Sequence, residues 1–254
     1  MSQVPAATRA LRVLRYLATQ PGPVPLDRIA RACALPRSTA YHLLGAMAEE
    51  GFVVHLAEDR CFGLGVAAFE VGSGYARQEP LARLSRRLMA ELVDRTGHSA
   101  HLAVPHGRDV LYVVEERAPG RPPLVTDVGV RLPAHLTASG RALLAGLPAA
   151  QVRALYPDRA AFVDRHGVGP ATPSALRTVL AETRQRGWAV EEGEVTPGLA
   201  SVAAAVLDHN ALPVAGLAVT FPADEVAPDA RAALASHVRR AASALTHRLH
   251  GRPA

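Results

Sequence analysis

PRSTAYHLLGAMAE, residues Pro36–Glu49, is the stretch whose reading decides the fold. At about 100° per residue, Ala40, Leu43, Leu44 and Met47 share one sector, the i, i+3, i+4, i+7 spacing of a buried helical stripe. Arg37, Ser38, Tyr41, His42 and Gly45 share another, which offers a cation, a hydroxyl, a phenol, an imidazole and a position open to close approach. Upstream, Leu26–Cys33 repeats the buried spacing with Leu26, Ile29, Ala30 and Cys33, and only Ala34 and Leu35 separate the two segments. Helices joined so tightly cross steeply, the helix-turn-helix geometry. The second helix is expected to enter the major groove of DNA by its N-terminus.

Around this pair the chain reads as a small DNA-binding unit. Thr8–Ala18 carries Ala10, Val13, Leu14 and Leu17 on one face, predicting a first helix with Arg9, Arg12 and Arg15 off that stripe. Pro21, Pro23 and Pro25 make a stiff connection, with Pro25 expected at the first position of the second helix. After Gly51, Phe52–Leu56 and Cys61–Leu64 read as strands around a polar turn, a hairpin wing with Arg60 near its tip. Arg60 could lie along the backbone or dip into a minor groove. Residues 1–48 hold six Arg against one acid, Asp27, a local excess that suits a phosphate-lined partner. All 28 basic residues are Arg, and apolar residues make up 49% of the 254, a globular composition. Two cysteines cannot build a disulfide framework or a zinc site, and Cys33 on an apolar face reads as a buried thiol. The N-terminus lacks a signal-peptide pattern, and no apolar run approaches the roughly 18 residues that span a bilayer. A cytoplasmic protein with no membrane partner is expected.

Gly65–Tyr75 predicts a linker helix, broken by Arg77–Pro80. From Leu81 the pattern is mixed: an amphipathic helix Leu81–Arg95 stopped by Gly97, alternation through Ala100, Leu102 and Val104, a turn at His106–Asp109, and a returning strand Val110–Glu115. Leu124–Val128 reads as a further strand leading into Thr137–Leu144, and Leu147–Tyr156 as a short helix. Thr172, Pro173 and Gly187 bracket another helix as cap, first residue and terminator. Trp188–Glu191, Ser201–Leu207 and Leu212–Phe221 read as strands, the last two joined over Asp208–Ala211 with Asn210 in the left-handed turn position. Asp229–His250 is the final helix. The fold class is α+β: a winged helix-turn-helix over residues 1–66, a linker helix over 67–79, and over 80–254 a domain with a sheet of about five or six strands, of a size that suits a ligand-binding sensor.

Several of these segments together resemble the IclR family of bacterial transcription regulators. The resemblance rests on RALRVLRYLA (Arg9–Ala18), LPRSTAYHLLGAMAEEGFV (Leu35–Val53), FGLG (Phe62–Gly65), VGVRLPAHLTASGRALLA (Val128–Ala145), RGWAVEEGEVTPGLASVAAAV (Arg186–Val206) and LPVAGLAVTFP (Leu212–Pro222). It implies a GAF-like effector domain, assembly as homodimers or tetramers, and a small organic acid as effector. This chain departs from the family pattern at Ala34, where Gly is usual, at His42 for Arg, at Ala203–Ala205 for alanine-alanine-proline, and at Arg141 for Lys. A left-handed turn at Ala34 would carry strain.

The DNA-reading set is Arg37, Ser38, Thr39, Tyr41 and His42, with Arg37 suited to a bidentate contact to guanine and Arg9, Arg12, Arg28 and Arg60 placed for phosphates. Thr39 could instead support the helix N-terminus and reach a phosphate. Thr137, Ala138, Ser139 and Gly140 open a helix, and hydroxyls with backbone N–H groups there suit an anion. Spacing alone favours an ordinary Thr cap with a small-residue turn; the resemblance implies instead the effector-carboxylate loop. Carried over residue by residue, the other pocket walls are Leu124, Leu132, Glu191, Ser201, Ala218 and Thr220. Glu191 and Glu192 point to opposite faces of a strand, so one is expected to enter the pocket and accept a ligand hydroxyl while the other is solvated. Strand geometry likewise separates His98 from His101, which argues against a metal site with His106 and leaves exposed imidazoles as the reading. Gly167-Val168-Gly169-Pro170 lacks the strand–helix frame of a dinucleotide loop, and Ser139 lacks a nucleophile elbow. No catalytic residue, metal or cofactor is expected. The competing class is an enzyme of small carboxylates carrying a DNA-binding appendage.

Overall fold

The computed structural model describes residues 4–78, 80–121 and 124–249. The chain divides into two compact units, Met1–Gln78 and Glu79–Ala254.

In the first unit, α1 (Pro5–Leu17), α2 (Leu26–Ala32) and α3 (Arg37–Glu49) close on a core of Val13, Leu17, Ile29, Leu44 and Met47, with Val24, Val53 and Phe62 from the wing. The α2–α3 turn passes through Ala34 at φ +54°, the left-handed region. An L side chain there costs about 1–2 kcal/mol, which the turn holds because the Leu35 N–H donates back to the Ala30 carbonyl at 2.9 Å. The wing is three-stranded, in the order β1 (Val24–Pro25), β3 (Cys61–Leu64), β2 (Val53–Leu56). Pro25 therefore does not open α2 from within; it is the residue before it and pairs with Cys61 at the sheet edge. A proline-rich connection is no obstacle there, because an edge strand can leave one N–H unpaired. Helix α4 (Val66–Gln78) extends two residues into the break expected at Arg77–Pro80, and Pro80 itself begins the next helix. Proline is at home in a first turn, where its missing N–H has no partner to lose. Glu79 lies outside the described residues.

The second unit is built on an antiparallel sheet of six strands among the described residues, in the order β6-β5-β4-β9-β8-β7. The strands are β4 (Ser99–His106), β5 (Asp109–Glu116), β6 (Arg131–Pro133), β7 (Ala189–Glu192), β8 (Leu199–Leu207) and β9 (Pro213–Pro222). Strand alternation sorts the side chains onto two faces. Leu102, Val202, Leu217 and Val219 pack with Leu92 of α5 (Pro80–Thr96) and with Val238 and Leu245 of α9 (Arg231–Leu249). The opposite face carries His101, Ala103, Ser201, Ala203, Ala218 and Thr220, and is covered by α6 (Ala138–Gly146), with α7 (Ala149–Leu155) and α8 (Pro173–Arg186) completing that layer. Two glycines let α6 come down on the sheet. A Cβ on Gly140 would lie 2.2 Å from the Ala134 carbonyl oxygen, and one on Gly216 of β9 would lie 2.6 Å from that of Ser139.

Two expectations are corrected here. Leu124–Val128 is not a strand, and the edge position belongs to Arg131–Pro133. The Thr126 hydroxyl bonds to the buried His101 ring and Val125 and Val128 stay exposed, so this segment crosses the sheet instead of pairing with it. In the β8–β9 hairpin the left-handed residue is Ala211 (φ +60°), not Asn210. The Asp208 carboxylate accepts from the Asn210 and Leu212 N–H groups, at 2.8 and 2.9 Å, and that clamp sets the turn.

Candidate functional site

Helix α3 has the sidedness its sequence predicts. Ala40, Leu44 and Met47 are buried; Arg37, Ser38, Tyr41, His42 and Gly45 are exposed; Thr39 is half-buried. Pro36, before α3, provides no side-chain cap, so the first N–H groups of the helix keep their capacity for an anion. Arg37 pairs with Asp27 of α2 at 2.9 Å. Both side chains are more than half exposed, and such a pair is worth about 0–1 kcal/mol, a contact that an incoming acceptor can exchange. Arg9, Arg28 and Arg60 are exposed, Arg60 at φ +51° in the wing turn. Arg12 is less free than its position off the α1 stripe suggests: its guanidinium donates to the Cys33 carbonyl at 3.2 Å and ties α1 to the end of α2.

In the second unit a small cavity, about 20 Å3, lies between the α6 N-terminus and the sheet. Thr137, Ala138, Ser139, Glu191, Ser201, Ala218, Thr220 and Leu124 line it, as the sequence implied. Leu132 and Gly140 do not: Leu132 packs into the core beside Val110 and Tyr156, and Gly140 faces the Ala134 backbone. His101, Tyr112, Val125, Thr126, Val195, Thr196 and Leu199 also line the cavity and were not foreseen. His101, expected as an exposed imidazole, is 1% exposed. The pairing of His101 with Ala218 across β4 and β9 puts it on the pocket face, and that register is invisible in either strand alone.

The polar groups of the cavity fall into two sets. In one, the Thr137 hydroxyl caps α6 by accepting from the Gly140 N–H at 3.0 Å, and the Ser139 hydroxyl is buried with no hydrogen-bond partner among the described residues. In the other, Ser201 donates to Glu191 Oε1 at 2.7 Å and lies 3.0 Å from the Thr220 hydroxyl. Ser201 has one proton, spent on Glu191, so Thr220 is the donor in the second bond. Glu191 Oε2 is buried with no N–H or hydroxyl donor beside it among the described residues. Burial first, then the charge and the hydrogen bond of the neighbouring Glu194, push the Glu191 carboxyl up to about 8, against the opposing Ser201 bond and Arg141 charge. Burial, with the Arg117 charge, pulls His101 down to about 4, and burial raises the Tyr112 phenol. Glu192, on the far face, pairs with Arg231 of α9 at 2.7 Å instead of standing solvated by itself.

Arg141 does not reach the cavity. Its buried guanidinium donates to the His135 carbonyl (2.9 Å), the Val190 carbonyl (2.7 Å) and the Glu194 carboxylate (2.8 Å). Glu194 also accepts from the Glu192 N–H. The cation thereby straps the turn after β7 to α6, and Val195 and Thr196 of that turn line the cavity.

The family model described as the IclR helix-turn-helix domain matches residues 6–57, and that described as the bacterial transcriptional regulator IclR C-terminal matches residues 73–247. The chain belongs to the IclR family. Among its IclR relatives, the acetate operon repressor of Salmonella typhimurium is 29% identical over 96% of this chain and 89% of its own. The glycerol operon regulatory protein of Streptomyces coelicolor is 32% identical over 95% and 94%. The crystal structure of an IclR homolog from Microbacterium hydrocarbonoxydans, complexed with 4-hydroxybenzoate, superimposes with a TM-score of 0.79 over 96% of this chain and 98% of that one, at 22% identity. The IclR families and relatives are transcriptional regulators, not enzymes, so the enzyme alternative is set aside. Among the described residues no three His, Cys, Asp or Glu side chains converge as a metal site, and no helix is long and apolar enough to cross a membrane.

Proposed function

We propose that this IclR-family regulator reads a pseudo-palindromic operator with α3 and that a small organic acid, held in the α6 pocket, modulates the binding. The sidedness of α3 carries the reading: Arg37, Tyr41 and His42 stand out in solvent above a buried Ala40–Leu44–Met47 stripe, an arrangement suited to base edges. Residues 1–66 are assigned the reading role, 67–79 the linker, and 80–254 effector binding and assembly. Assembly as a homodimer or tetramer is supported by apolar side chains that the first unit leaves exposed, Leu11 on α1 and Val66 and Phe69 on α4. An organic acid is supported by the α6 N-terminus, the unpartnered Ser139 hydroxyl and the 4-hydroxybenzoate held by an IclR homolog. A coupling of about 1–3 kcal/mol between the two sites gives a several-fold to hundred-fold change in operator occupancy.

Footprinting on DNA from the regulator's own genomic neighbourhood tests this. The expected pattern is two half-sites separated by about one helical turn or more, altered when an acid that raises the protein's thermal stability is added. Equal protection of every sequence would refute it.

A further inference from the structure

We propose that the outer face of α5 and α9 is a second attachment to DNA, whose arginines hold the phosphate backbone of a duplex without regard to sequence. It is separate from the exposed face of α3 and goes beyond the function proposed above.

The charge of the second unit is sorted. Helices α5 and α9 hold eight Arg against two acids, Glu91 and Asp94, and α9 has no acid at all. The rest of residues 79–254 holds 12 Arg against 15 acids. Arg83, Arg87 and Arg95 of α5 and Arg239, Arg240 and Arg248 of α9 are exposed. Of these six only Arg87 is ion-paired among the described residues, to Glu91 at 2.9 Å. Arg240 reaches Ser236 and His237 but no carboxylate. The two helices share this surface: Arg95 and Arg240 line one groove between them, and the Arg248 guanidinium donates to the Leu84 carbonyl at 3.0 Å. The helices therefore run antiparallel, and the rise from Leu84 to Arg95 spreads the cations over about 16 Å. That is close to half a turn of a DNA duplex, about 34 Å per turn.

The make-up of the face selects the partner. A guanidinium fork matches a phosphate with two parallel hydrogen bonds. Among the described residues no large apolar side chain of α5 or α9 is exposed. An anionic membrane surface calls for such side chains to insert, and the centre of a protein interface for aromatic or aliphatic anchors. Single-stranded nucleic acid calls for rings on which bases stack, and neither helix contains Phe, Tyr or Trp. A second copy docked face to face would set Arg against Arg. The backbone of a duplex needs the cations alone. With DNA held by the helix-turn-helix of the same chain, a duplex long enough to reach both faces is presented at high local concentration, so even a weak second attachment is populated.

The test is binding of the full chain, by fluorescence anisotropy, to a duplex of about 60 bp of arbitrary sequence and to the footprinted operator fragment, from about 50 to 300 mM salt. One variant combines Arg83→Gln, Arg95→Gln, Arg239→Gln and Arg240→Gln. Its control combines Arg153→Gln, Arg159→Gln, Arg165→Gln and Arg177→Gln, exposed arginines elsewhere in the same unit, and so removes the same charge. The first variant should flatten the dependence of log affinity on log salt by about 2–4 per chain engaged, with about an eightfold loss of affinity for each contact removed near 0.1 M salt. Both duplexes should weaken alike, and the control should keep the wild-type slope. Where the fourfold variant does not fold, the pairs Arg83→Gln with Arg95→Gln and Arg239→Gln with Arg240→Gln should each take about 1–2 from the slope. An unchanged slope would overturn the proposal. So would an equal loss in the control, because net charge alone would then account for it. Capture on phosphatidylglycerol vesicles that depends on the four arginines, with DNA binding unchanged, would overturn it in favour of a membrane surface. Equal wild-type affinity for the two duplexes, with a slope still set by the four arginines, would remove the operator reading and leave this inference standing.

Discussion

Replacing Arg141 by Met should destabilise the second unit by about 3–5 kcal/mol, the cost of breaking a buried ion pair from one side. The figure follows from what is stranded. Glu194 is 12% exposed and loses the cation that pairs with it at 2.8 Å, while the His135 and Val190 carbonyls lose donors at 2.9 and 2.7 Å. Each unsatisfied neutral group costs about 1–3 kcal/mol, and a charged one more. Glu194→Gln should cost less, about 1–2 kcal/mol, because Arg141 keeps both carbonyls and an amide oxygen. The double variant should fall short of the sum by at least about 1 kcal/mol, since the charge is no longer left alone. Arg141→Lys, which restores the residue usual in the family, retains the charge but loses the fork that reaches three acceptors at once. Urea unfolding followed by fluorescence of the single tryptophan, Trp188, half-buried where α8 meets β7, reports this unit. A loss below about 1 kcal/mol in Arg141→Met, or strict additivity in the double variant, would refute the strap.

Arg37→Ala should erase preference among operator sequences, with a loss of about 1–3 kcal/mol on the best site. Arg9→Ala and Arg60→Ala should instead weaken binding to all sequences alike, and each should reduce the salt slope by about 1, as salt-dependent gel shifts would show. Folding stability should decline with acid through His101. The folded ring ionises only at about 4, whereas the unfolded one takes a proton from 6.5 downward. This contribution is therefore complete above 6.5 and is lost across that interval at up to about 1.4 kcal/mol per pH unit. His101→Asn, compared with the wild type by urea unfolding at several pH values, should remove that part of the slope.

The winged unit was the more legible half because its signals are local. Helical spacing in Leu26–Cys33 and Pro36–Glu49, a two-residue junction, and alternation either side of Ala57–Arg60 each depend on neighbours within a few turns. The left-handed Ala34 is what the resemblance implied, since the family places Gly at that turn. The third wing strand was missed because two residues carry no period, and only the pairing of Val24 with Phe62 defines it.

In the effector unit the chain order of helices and strands was readable except at the edge strand Arg131–Pro133, and so were Thr137 as a cap and the opposed faces of Glu191 and Glu192. The pocket wall was readable only in part. His101, Tyr112 and Thr126 join it through the register of β4 on β9 and through a segment that crosses the sheet without pairing, both consequences of contacts far apart in the chain. Leu132 looked like a wall and is core.

The amino-acid order by itself determined the helix that presents Arg37, Tyr41 and His42, because a helix turns its own residues to fixed sides. Which oxygens inside the second unit are left without partners, and which cation is consumed in holding a turn, was decided by packing alone. Hydrogen-bond satisfaction is a property of groups that only the folded chain brings within 3 Å of each other.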